Sequence, residues 1–182
     1  MPGKGIFSDR FALNLDSVVT VEMIVILLVC YYVVHWLIYP EALEYLTLSL
    51  RGGEAAFSHG LQRYRDFRLL GSLGANVRFN YAAIECIIGL LEALLLAGVL
   101  GVSIRYFHKK TGRGFFKSIS VIPWIAFIIS ALHILMFTSL ILTYPALHTL
   151  QSTTAFALAV VAICAYLIGG GLLTSGIIRT MR

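Results

Sequence analysis

The amino-acid sequence predicts an all-α integral membrane protein, with four transmembrane helices and an amphipathic interfacial helix in the first outer loop. Composition is the first reason: 59% of the 182 residues are hydrophobic and 13% are charged, about half the charged share of a soluble domain. Four apolar stretches are the second reason, because about 20 residues at ~1.5 Å rise cross a ~30 Å hydrocarbon core. The whole chain, residues 1–182, is therefore predicted to form a single membrane domain.

The first predicted membrane helix covers residues 17–39. Asp16 or Ser17 is predicted to cap its N-terminus. Pro40 is predicted to end it, because proline disfavours the helical conformation of the residue before it. His35 lies inside this helix near its predicted outer end, and Glu22 lies near its start.

A long outer loop, residues 40–80, follows this helix. Residues 54–70 within it place Phe57, Leu61 and Tyr64 at i, i+4 and i+7, a spacing that predicts an amphipathic helix along the membrane surface. Four of the five basic side chains of the loop are predicted to contact lipid or a quinone. They are Arg63, Arg65, Arg68 and Arg78.

The second predicted membrane helix, residues 81–104, combines carboxylates with small residues. Glu85 and Glu92 are seven residues apart and lie on nearly the same face. Small residues recur every fourth position beside them, and such a stripe lets another helix approach closely in lipid. The stripe consists of Gly89, Ala93, Ala97 and Gly101. The two acids are therefore predicted to face protein.

The third and fourth predicted membrane helices cover residues 118–144 and 153–178, and His133 lies at the centre of the third. The inner loop, residues 105–117, carries five basic residues and no acid. Together with the two termini it holds nine of the fourteen Lys and Arg residues. The positive-inside rule therefore predicts cytoplasmic N- and C-termini, and the basic loop is predicted to contact anionic lipid.

Counting residues from the predicted outer ends indicates two layers of polar groups. His35 and Glu85 both fall about 6 Å inside the membrane, and Glu92 and His133 both fall about 16 Å inside. Glu92 and His133 are accordingly predicted to lie within hydrogen-bonding reach. Ionisable groups at such depths often form proton paths or ligand sites, but they can also hold helices together. Both interpretations stay open.

Other kinds of site are less well supported. Cys30, Cys86 and Cys164 form no CxxC pair, so neither a zinc site nor a thiol-redox motif is predicted. His35 and His133 differ by about 10 Å in estimated depth, which makes them a poor axial pair for haem b. Haem b or quinone stays possible as a cofactor. No catalytic signature is present, and no metal or nucleic-acid site is predicted.

These features favour a small integral subunit of a larger membrane complex, respiratory or quinone-linked, with a structural or proton-path role. Its expected partners are other integral membrane subunits. The first alternative is a proton- or ion-coupled oligomeric transporter or channel. The second is an independent membrane redox enzyme that binds quinone or haem. Whether the chain is an enzyme stays open.

Overall fold

The structure is a computed structural model that describes residues 19–48, 74–144 and 149–181. All regular secondary structure in these ranges is helical. The elements, in chain order, are α1 (Val21–Val33), a π-helical turn (Val34–Ile38), α2 (Tyr39–Leu48), α3 (Ala75–Thr111), α4 (Gly114–Ile119), α5 (Ile122–Thr143) and α6 (Thr149–Met181).

In the described part of the chain, four helical stretches are long and apolar enough to cross a membrane. They are Val21–Leu46, Ala75–Thr111, Gly114–Thr143 and Gln151–Met181. The predicted all-α class and multi-pass membrane character are therefore confirmed. The interfacial helix predicted at residues 54–70, with Arg63, Arg65 and Arg68, lies outside the described residues, as do Asp16 and Ser17.

The first helix does not end at Pro40, so that prediction is wrong. α1, the π-helical turn and α2 form one continuous helix to Leu48. In the π-helical turn the N–H of Tyr39 donates to the carbonyl of Val34, five residues earlier. In a regular α-helix the Pro40 ring would clash with the carbonyl four residues earlier. The wider turn immediately before Pro40 relieves that clash, which lets the helix continue.

α3 packs against α1, α5 and α6 and is the central helix of the molecule. One buried apolar cluster joins α2, α3 and α5, and includes Leu43, Tyr81 and Phe137. A second joins α3, α4 and α6 around Ile104 and Phe116. The outward faces carry large exposed apolar side chains, as expected of surfaces that face lipid.

The basic loop and the end of α6 lie at the same end of the molecule. α3 ends at Gly112, which has a left-handed backbone with φ of 65°, and the chain turns directly into α4. The guanidinium Nη1 of Arg113 donates to the carbonyl of Arg179 at 2.9 Å. This contact ties the loop between α3 and α4 to the last turn of α6.

Candidate intramembrane polar site

The two carboxylates of α3 lie in different surroundings. Glu85 is fully buried, and the hydroxyl of Tyr39, itself 2% exposed, donates to Glu85 Oε1. Tyr39 opens α2, so this hydrogen bond crosses from the first membrane helix to α3 just beyond the π-helical turn.

Glu92 forms the second contact between these helices. His35 Nδ1 and Glu92 Oε1 are 3.1 Å apart and share a hydrogen bond. The imidazole donates it when Glu92 is ionised, and the carboxyl donates it when Nδ1 is unprotonated. The His35 ring stacks on Tyr31 with centroids 5.4 Å apart, and Trp36 packs edge-on against it. His35 belongs to the π-helical turn, an element that is frequent at functional sites.

His133 connects α5 to α6. Its Nδ1 donates to the carbonyl of Ala155 at 3.0 Å, and its side chain is nearly buried, at 5% exposure. Because a carbonyl only accepts, this contact places a proton on Nδ1, and Nε2 is then the acceptor of the neutral ring. Phe137, one turn along α5, packs beside the imidazole.

The residue pairs that form these hydrogen bonds differ from the pairs predicted by counting residues from the helix ends. We expected His35 to lie level with Glu85 and Glu92 to lie level with His133. Instead His35 bonds Glu92, and Tyr39 bonds Glu85. The depth of His35 was counted from Tyr39 as the last residue of the helix, and the helix continues beyond it to Leu48. The level of His35 on α3 consequently moves by seven residues, about 10 Å.

A cavity of about 210 Å³ lies among α1, α3, α5 and α6 and is partly open. Its wall contains the side chains of Glu92 and His133, so the structure brings these two residues to one site, each with its own hydrogen-bond partner. The remaining polar wall is formed by three tyrosines and a serine. These are Tyr31, Tyr39, Tyr166 and Ser130.

The small residues of α3 lie along helix contacts and along the cavity. Ala97 is completely buried, and a side chain at Gly89 would touch Ile134 on α5 at 3.4 Å. Gly101 lies near Trp124, also on α5. Ala93 lines the cavity, and its carbonyl accepts a hydrogen bond of 3.0 Å from the hydroxyl of Tyr166 on α6.

The four polar residues Tyr31, Tyr39, Tyr166 and Ser130 were not singled out as functional from the sequence. One signal was available, since Tyr31, His35 and Tyr39 follow at i, i+4 and i+8 and such spacing places side chains on one helix face. No comparable pattern marks Tyr166 or Ser130, which join the site only through the packing of α5 and α6. Arg78 lies elsewhere, at the start of α3, with its guanidinium over the Tyr144 ring.

The arrangement can hold and move protons at the centre of the molecule. Glu92 and His35 lie near the middle of Ala75–Thr111 and Val21–Leu46, and a carboxyl–imidazole pair can pass one proton between its members. Among the described residues, no group of three His, Cys, Asp or Glu side chains comes close enough to hold a metal ion.

Comparison with family models, with curated proteins and with solved structures finds no match to this chain.

Proposed function

We propose that this chain is an integral subunit of a larger, quinone-linked membrane assembly, in which His35 and Glu92 exchange protons. The observation that carries the proposal is the His35–Glu92 hydrogen bond, which lies near the middle of two membrane-crossing helices and beside a polar cavity. Ionisable groups at that depth are costly and commonly mark proton paths or ligand sites.

The incomplete burial of His35 and Glu92 supports the proposal that a neighbouring subunit covers them. The side chain of His35 is 26% exposed and that of Glu92 is 17% exposed. Glu92 reaches the cavity, but His35 is not part of the described cavity wall. The exposed part of the imidazole would therefore face hydrocarbon, which is unfavourable for an ionisable group. A helix of a neighbouring subunit against α1 would cover it.

The first membrane helix has room for such a neighbour. Only 6% of its apolar window is buried within the chain, compared with 39% for the third. Trp36 and Leu37, beside His35 in the π-helical turn, are 62% and 60% exposed. A partner helix that packs here would bury these apolar groups together with the edge of the imidazole.

The proposed orientation places the termini and the basic loop in the cytoplasm. Lys109, Lys110, Arg113 and Lys117 are exposed around the ends of α3 and α4. Basic residues concentrate on the cytoplasmic side of membrane proteins, and near the surface each contributes about 1 kcal/mol to binding of anionic lipid. We therefore propose that this end of the molecule contacts anionic lipid headgroups.

Purification at native abundance tests the proposal. A tagged chain, extracted in mild detergent, is expected to bring down other integral membrane proteins in a fixed ratio. In that assembly Glu92→Gln should keep the subunit composition and lower the rate of quinol oxidation or quinone reduction at least tenfold, because an amide keeps the shape but cannot exchange a carboxyl proton. Glu44→Gln, an exposed carboxylate on α2, is the control and should leave the rate unchanged.

Three outcomes would overturn this assignment or part of it. A chain that purifies only as copies of itself, and that moves protons into vesicles, would instead be a proton-coupled transporter. A haem b absorption band in the isolated chain would identify a redox enzyme in its own right. Full turnover in Glu92→Gln would show that Glu92 does not exchange protons and that its role is structural.

A further inference from the structure

We infer that the central cavity binds the head group of a quinol or quinone, a neutral ring with oxygen substituents, which enters from the lipid. This inference rests on the proposed function, because it names the ligand that a quinone-linked subunit would hold and where it would hold it. The site lies between α1 and α6, and therefore differs from the Arg-rich outer loop to which sequence analysis assigned a possible quinone contact.

The size of the cavity fits one substituted ring. A cavity of about 150 Å³ in a protein core holds benzene, and this one measures about 210 Å³. The difference leaves room for substituents on the ring. Small residues from two helices line the cavity and take up little of the space. These are Gly89 and Ala93 on α3, and Ala159 and Ala162 on α6.

The chemistry of the wall fits a neutral ligand. None of the described residues that line the cavity is Lys or Arg, so an anion would meet no permanent counter-charge beside Glu92. A cation would have to share Glu92 with His35, which already bonds that carboxylate. A neutral ring with hydroxyl or carbonyl oxygens needs no counter-charge and requires only hydrogen-bond partners at its edge.

Suitable partners for both oxidation states are present. Quinol hydroxyls donate, and the Glu92 carboxylate and His133 Nε2 are acceptors, since His133 Nδ1 is the donor to Ala155. Quinone carbonyls accept, and the Tyr31 hydroxyl is a donor that makes no hydrogen bond to the described part of the protein. Ser130 adds a second hydroxyl to the wall.

Access from the lipid follows from how the helices pack. α1 packs on α3, and α6 packs on α3 and α5, but α1 and α6 are not a closely packed pair. Both nevertheless contribute to the cavity wall. The cavity thus lies in the gap between α1 and α6 near mid-membrane. Ile163 on α6 lines the cavity and is apolar and exposed, which suits a ligand that carries a hydrophobic tail.

The test measures binding to the full chain in lipid nanodiscs. Calorimetric titration with a decyl-substituted benzoquinol is expected to show one site per chain, and benzoquinol without a tail should bind at least tenfold more weakly if the ligand comes from lipid. Equal affinity of the two compounds would overturn the lipid route. A photoreactive azido-benzoquinone should label peptides of α1 and α6, and the unlabelled compound should prevent this labelling.

Two pairs of variants locate the site. Ala162→Phe fills the cavity and should reduce affinity at least tenfold, whereas Val161→Phe, on the adjacent exposed face, should not change it. Tyr31→Phe removes one hydroxyl without altering volume and should weaken binding about five- to tenfold, with Tyr32→Phe as the control. Unchanged affinity in both Ala162→Phe and Tyr31→Phe would overturn the inference.

The binding test is independent of the proposed assembly. If the isolated chain binds the quinol but purifies without partners, the inference stands and the subunit assignment fails. If partners co-purify but the chain does not bind the quinol, the subunit assignment stands and this site assignment fails.

Discussion

Glu85 and Glu92 lie two turns apart on α3, and their surroundings assign them different tasks. Glu85 is fully buried and accepts a hydrogen bond from Tyr39, whereas Glu92 is partly exposed, bonds His35 and lines the cavity. A buried, hydrogen-bonded carboxyl holds helices together, because inside the bilayer no water can replace its hydrogen-bond partner if the helices separate. We therefore propose that Glu85 stabilises the fold and that Glu92 exchanges protons at the cavity.

Tyr39→Phe tests the structural task of this buried pair. The variant deletes the hydroxyl that Glu85 accepts from, and it should lower the free energy of unfolding by about 1–2 kcal/mol, the upper range of hydrogen bonds inside membranes. Thermal unfolding in detergent measures the effect. Tyr32→Phe changes the same residue type at an exposed position of α1 and should be silent. Equal effects of the two variants would contradict the assignment.

At the level of elements, the contact between α4 and α6 leaves no space for a side chain at Gly176. A Cβ at Gly176 would lie 2.8 Å from the Phe116 ring and 2.9 Å from the Phe115 ring, and Phe116 is completely buried. Three other glycines of α6 are less constrained. A Cβ at Gly169 would lie 3.4 Å from Ile122, and a side chain at Gly170 or Gly171 would meet nothing within 4 Å.

Gly176→Ala should therefore destabilise the protein by about 1–3 kcal/mol, the usual range for inserting a methyl group into a filled core. Gly171→Ala is the matched control on the same helix. It should stabilise the protein by up to about 1 kcal/mol, because alanine favours helix over glycine. Thermal unfolding midpoints of both variants, measured in the same detergent, should shift in opposite directions: down for Gly176→Ala and up for Gly171→Ala. A stable Gly176→Ala protein would show that the phenylalanine rings move aside without cost.

At the scale of the whole molecule, most of the basic side chains among the described residues lie at one end of the helices. The end of α3, the loop to α4 and the end of α6 come together there through the Arg113–Arg179 contact. The start of α6 lies at the opposite end, since the helix crosses the whole span from Gln151 to Met181. This asymmetry is the basis of the proposed orientation.

Cysteine labelling tests that orientation. In a background without Cys30, Cys86 and Cys164, a membrane-impermeant thiol reagent should label Gln151→Cys in intact cells. It should label Lys110→Cys only after the membrane is opened. Both positions are exposed, so access rather than burial decides the result. The opposite pattern would place the basic end outside and overturn the orientation.

Much of the architecture could be predicted from local sequence. Four apolar stretches predicted four membrane-crossing helices, since the transfer of a helix into lipid depends on its own length and composition. Glu92, His133, Glu85 and His35 also stood out individually, because an ionisable residue in an apolar stretch is visible without knowledge of its neighbours. The tyrosines of the cavity did not stand out, because tyrosine is common both inside membrane proteins and at their surfaces.

The sequence by itself determined the helical class, the number of crossings and the polar residues within them; the tertiary structure decided which of those residues meet. Pro40 predicted a helix end, but the π-helical turn lets the helix continue, and this moves the level of His35 on α3 from Glu85 to Glu92. Register between two helices depends on how their surfaces pack and on each local change of helical pitch. The register is a property of two packed helices together, and it therefore cannot be predicted from either stretch of sequence alone.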